Sequence, residues 1–159
     1  MEKYLKLISF YNKVFTSNYM SELDLLKVYR EFLRDYIRLS KENPSFESDS
    51  KWKLYTEGNC YCYALMLPTP KEFYDAYMNA CDDVDLPLSF HHDVGFISEK
   101  ECFLKPSKLL DNLKSDLDSL GIYYYETDID SINNHGGYKI SLYYNYGEDF
   151  HFIREDSDG

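Results

Sequence analysis

A chain of 159 residues is long enough for one domain with an apolar core. With 44 % hydrophobic and 28 % charged residues it has an ordinary globular balance. The formal charge of −11 argues against nucleic acid or an anionic membrane as partner, because a polyanion must be met by clustered cations. It suits solubility, and a basic protein partner.

Residues 2–15 read as a helix, with Tyr4, Ile8, Tyr11 and Phe15 on one apolar stripe. Thr16, Ser17 and Asn18 break it. Ser21 to Asp24 is a capping-box-like start, and the helix it opens places Leu26, Tyr29, Leu33 and Ile37 on one face as far as about Lys41. Asn43-Pro44 favours a turn. These first residues, 1–45, form a helical extension packed on the rest.

Residues 46–159 form the core that carries the chemistry. Gly58 and Asn59 permit a sharp turn, and Cys60 to Leu67 follows as a helix stopped by Pro68 and Pro70. Residues 71–81 are helical, and 82–105 lack a period and suit an irregular loop that shapes a cleft. Leu109, Leu110, Leu113, Leu117 and Leu120 then stripe a clear helix that Gly121 ends. Ile122 to Tyr125 reads as a short strand. Tyr138, Ile140, Leu142 and Tyr144 alternate as a strand, Asn145 to Glu148 turn, and Phe150 to Arg154 return. Helices first and an antiparallel sheet last is α+β order.

Two short segments carry the chemical signal. In Gly58-Asn59-Cys60-Tyr61-Cys62 a thiol stands at the mouth of a helix, where unpaired N–H groups favour thiolate. In Asp149-Phe150-His151-Phe152-Ile153-Arg154 a histidine stands on a strand, with His151 and Ile153 on one face and the phenylalanines on the other. Which face meets the core is open. An imidazole beside a thiol takes its proton and later protonates the leaving group. Against this stands the ordinary fate of a cysteine, a small buried hydrophobe. The backbone N–H of Cys60 or the Asn59 amide suits an oxyanion site, and Tyr55 suits a pocket wall or the core equally.

The segments Asn59-Cys60-Tyr61-Cys62-Tyr63-Ala64-Leu65, Asp116 to Gly121, Tyr138-Lys139-Ile140-Ser141-Leu142 and Asp149 to Gly159 resemble a little-characterised bacterial group. That group is similar to papain-fold hydrolases of the NlpC type, which cleave cell-wall peptides or other amides. The resemblance covers about residues 58–159 and implies a papain-like fold, Cys60 as nucleophile and His151 as base. It also implies a third, orienting residue in a Trp-Ser-His-Lys segment just past Ser-Asp-Gly, whereas this sequence stops at Gly159. Asp149, on the His151 face, and Asp156, just past the strand, are weak substitutes that equally suit solvated turns.

The expectation is therefore a cysteine hydrolase acting on a peptide or side-chain amide. The alternative is a catalytically incomplete papain-like fold that binds or inhibits a basic partner. No cofactor is expected. His91-His92-Asp93 with a cysteine would make a zinc site, but Cys60-x-Cys62 is too tight for the usual knuckle and no second pair exists, so no metal is expected either. Cys62, Cys81 and Cys102 read as buried, and His135-Gly136-Gly137 as a loop tip. The cysteine spacing shows no disulfide framework, no signal-peptide pattern is visible and no apolar run is long enough to span a membrane. A cytoplasmic home fits, with export by a signal-less route left open.

Overall fold

The computed structural model describes residues 2–17, 19–39, 59–81, 93–102, 105–132, 137–145 and 149–155. Among the described residues five helices precede two strands: α1 (Glu2–Ser17), α2 (Glu22–Leu39), α3 (Cys60–Leu65), α4 (Lys71–Ala80), α5 (Pro106–Leu120), β1 (Ile140–Asn145) and β2 (Asp149–Arg154). This is an α+β arrangement whose described sheet is antiparallel and two-stranded. None of the described helices is long and apolar enough to cross a membrane.

The tyrosines and phenylalanines build the helical core. Tyr11 and Phe15 of α1 meet Phe32 of α2, and Phe15 also meets Phe73 of α4. Tyr29 stacks on Phe73, 4.0 Å between centroids and 10° between planes. The Tyr29 hydroxyl donates to the Pro68 carbonyl at 2.9 Å, so the aromatic body is buried without stranding its polar tip. α1 and α2 thus share one apolar cluster with α3, α4, α5 and Phe152.

Several local signals act as the sequence implies. The Ser21 hydroxyl accepts the Asp24 N–H at 3.2 Å and donates to the Asp24 carboxylate at 2.7 Å, opening α2. Gly121 ends α5 at φ 71°, the left-handed cap that glycine adopts without cost. The β1–β2 register pairs Leu142 with Phe152 and Tyr143 with His151, and the Glu155 N–H to Lys139 carbonyl bond extends the ladder.

Other expectations are corrected. α1 continues through Ser17, with the Thr16 hydroxyl bonded back to the Asn12 carbonyl. The buried face of α2 is Leu25, Tyr29, Phe32, Leu33 and Tyr36, leaving Leu26 and Ile37 half-buried at its margin. α3 stops at Leu65, before the prolines, because Met66 turns left-handed at φ 55°. The Leu67 N–H then reaches the Cys62 carbonyl at 2.9 Å, closing the helix end. Ile122 to Tyr125 is not a strand among the described residues, and Tyr123 is 92 % exposed. Leu110 lies outside the α5 stripe, whereas Asn112 and Asp116 lie within it. Cys81 and Cys102 are half-buried rather than buried. The Tyr4 side chain and the turn at 146–148 lie outside the described residues.

Candidate active site

α3 begins at Cys60 because Asn59 caps it. Asn59 has extended backbone angles, φ −92° and ψ −175°, and its side-chain oxygen accepts the Cys62 N–H at 3.1 Å. Cys60 is therefore the first helical residue and is half-buried, while Cys62 points into the core. Since its oxygen is held by the cap, Asn59 orients the helix mouth as well as lining the site.

β2 sets the opposite wall. Phe152 is 2 % exposed and packs on Tyr61 of α3, 5.2 Å between ring centroids. Because side chains alternate along a strand, burying Phe152 turns Asp149, His151 and Ile153 to the outer face, where all three are exposed. That resolves the choice of faces left open by the pattern. Two residues further along, the Arg154 guanidinium lies 4.0 Å from the centre of the Tyr63 ring and donates to the Tyr63 carbonyl at 3.0 Å. β2 thereby holds α3 at Tyr61 and Tyr63.

Between these walls runs an open groove of about 380 Å³, lined by Asn59, Cys60 and Tyr63 on one side and by residues 151–154 on the other. Cys60 and His151 thus both line one concavity, although the His151 side chain takes the strand face opposite the one that packs on α3. Asp149 lies on the His151 face, but its carboxylate accepts the adjacent Phe150 N–H at 2.7 Å. Among the described residues no hydrogen bond reaches the His151 ring. Opposite His151 in the register stands Tyr143, which is also exposed.

Tyr55, Asp156, His91, His92 and His135 lie outside the described residues. Asp93 is exposed. No group of histidine, cysteine and carboxylate side chains suited to a metal ion occurs among the described residues. Cys102, away from the groove, has its thiol pKa raised by burial first and then by the Asp93 charge, which favours the unreactive protonated form.

The residue that sequence reasoning missed is Asp116 of α5. It is fully buried, and its carboxylate accepts the Tyr61 hydroxyl at 2.5 Å and the Gly95 N–H at 2.7 Å. Its other oxygen accepts the Ser98 N–H at 2.7 Å and the Ser98 hydroxyl at 2.6 Å. The irregular stretch expected to shape a cleft is, over its described residues 93–102, a set of turns wrapped on this carboxylate and on Asn112, whose amide donates to the Glu101 carbonyl at 2.8 Å. The signal was a carboxylate at helical spacing inside a leucine stripe.

Comparison of the chain with known protein families, with curated proteins and with solved structures finds no match.

Proposed function

We propose that Cys60 and His151 are the nucleophile and base of a cysteine hydrolase with a papain-like core, acting on a peptide or side-chain amide. The observation that carries the reading is the shared groove, lined both by Cys60, the first residue of a capped helix, and by His151, on the strand packed against that helix. The chain order, cysteine helix before histidine strand, agrees with the resemblance in the sequence.

In this reading His151 accepts the Cys60 proton as the sulfur attacks the carbonyl carbon. The Cys60 N–H stabilises the oxyanion, and the imidazolium protonates the departing amine. Water, deprotonated by His151, then hydrolyses the thioester and regenerates the thiol. The test is acylation by an activated ester followed by intact-mass measurement. One acyl group on Cys60, formed and then hydrolysed, and lost in His151→Ala, is the expected result. Acylation spread over the cysteines, or independent of His151, overturns the reading.

The absence of a hydrogen bond to the His151 ring among the described residues and the engaged Asp149 carboxylate favour one alternative, an acidic binding module on the same framework. It requires a basic peptide such as oligolysine to bind Cys60→Ala as tightly as the unaltered chain, together with no acylation of Cys60. Absence of such binding removes it.

A further inference from the structure

A six-residue helix has little stability of its own, because nucleation costs more than so few backbone bonds return. The position of Cys60 therefore depends on what α3 is tied to. Three of its ties lie among the described residues. Phe152 packs on the Tyr61 ring, Arg154 grips Tyr63, and the Tyr61 hydroxyl donates to Asp116. The first two come from the groove wall itself. The third comes from α5, outside the groove, and attaches to the residue next to Cys60.

Asp116 occupies a position where a leucine would complete the stripe of α5. Burying a carboxylate there is costly unless donors surround it. Here it accepts four hydrogen bonds, one from the helix bearing Cys60 and three from the 93–98 turn. The turn approaches closely only because Gly95 lacks a side chain: a Cβ there would stand 2.8 Å from both the Asn112 amide nitrogen and the Lys100 carbonyl. The carboxylate is thus a fixed point against which α3 is set. The Tyr61 phenol keeps its proton, since burial first and the Asp116 charge second raise its pKa well above the usual value.

We infer that Asp116 is the positioning residue for the Cys60 thiol, acting through the Tyr61 hydroxyl to set where the first turn of α3 sits relative to His151. It does not line the groove, so it is not a catalytic residue. The inference rests on the Cys60–His151 reading.

The experiment compares Tyr61→Phe with Ser98→Ala by the rate and pH profile of Cys60 alkylation by iodoacetamide, read by peptide mass. Tyr61→Phe removes only the hydroxyl that joins α3 to the carboxylate. Ser98→Ala removes a hydroxyl from the same carboxylate on the side of the turn, and so reports general loosening. The expected result is a fall of about ten- to a hundred-fold at neutral pH in Tyr61→Phe, with a changed pH profile. Ser98→Ala stays within about two-fold of the unaltered chain. Both retain cooperative unfolding. If Tyr61→Phe fails to fold, Asp116→Asn, which keeps the volume and one acceptor oxygen, is judged by the same criteria.

If Cys60 is fast and His151-dependent but Tyr61→Phe behaves as the unaltered chain, this inference falls and the hydrolase reading stands. Equal slowing in both variants makes Asp116 a general brace and also overturns the inference. If Cys60 of the unaltered chain reacts no faster than Cys81 or Cys102, both the inference and the hydrolase reading fall.

Discussion

Phe152 and Tyr61 meet ring to ring across the boundary between β2 and α3, with centroids 5.2 Å apart. The contact places α3 against the strand and, by strand alternation, sends His151 to the outer face. Phe152→Ala is expected to cost about 3–5 kcal/mol of stability, measured by urea unfolding, and to slow Cys60 alkylation beyond what lost stability explains. A loss below about 1 kcal/mol would show that the ring is not a core anchor.

The buried Asp116 carboxylate has no spare tolerance for truncation. Asp116→Ala strands the Tyr61 hydroxyl and the Gly95 and Ser98 N–H groups, while the Ser98 hydroxyl keeps the Gly95 carbonyl as acceptor at 3.3 Å. A loss of at least about 3 kcal/mol is expected, since each stranded buried donor costs about 1–3 kcal/mol. A near-neutral denaturant midpoint would contradict the hydrogen-bond assignment.

Gly95→Ala tests the same region through the backbone. Gly95 sits at φ 106°, and an added Cβ collides with the Asn112 amide and the Lys100 carbonyl. Strain and displacement together should cost about 2–4 kcal/mol. Thermal unfolding at unchanged midpoint would mean that the turn adapts.

Alkaline pH should unfold the protein. Burial raises the phenol pKa values of Tyr29 and Tyr61 well above the usual value, and pushes that of Tyr138 up to about 12 against an opposing effect of Arg154. Tyr11 is raised too, by burial first and then by its hydrogen bond to Asp35. The unfolded chain loses these protons near pH 10 and the folded chain does not, so above that point the unfolded state binds fewer protons. The stabilisation is fully present below about pH 10 and is lost as pH rises through the folded values. Urea midpoints measured from about pH 9 to 11 should fall steadily, with phenolate absorbance of the buried set appearing together with unfolding. A flat midpoint would contradict the sign.

Much of this site was legible because its signals are local. Gly58-Asn59 before Cys60 reads as a turn that opens a helix, and Phe150 to Arg154 alternates as a half-buried strand must. The face that His151 takes was not legible, since the alternation fits either orientation until Phe152 has a neighbour to pack on. Ile122 to Tyr125 has strand composition but joins neither strand of the described sheet, and composition alone does not place it there. Met66 stops α3 in a conformation that a non-glycine residue does not advertise. Asp116, although part of a resembling segment, carries no role in the sequence because a polar residue in an apolar stripe acquires meaning only from donors on distant segments, here Tyr61, Gly95 and Ser98.

The most direct measurement is the alkylation rate of each cysteine by a low concentration of iodoacetamide, in the unaltered chain and in His151→Ala. Cys60 is expected to react first, ahead of Cys62, Cys81 and Cys102, and to lose that lead when the imidazole is removed. Reactivity of Cys60 equal to or below the others, or unchanged in His151→Ala, would contradict the Cys60–His151 dyad.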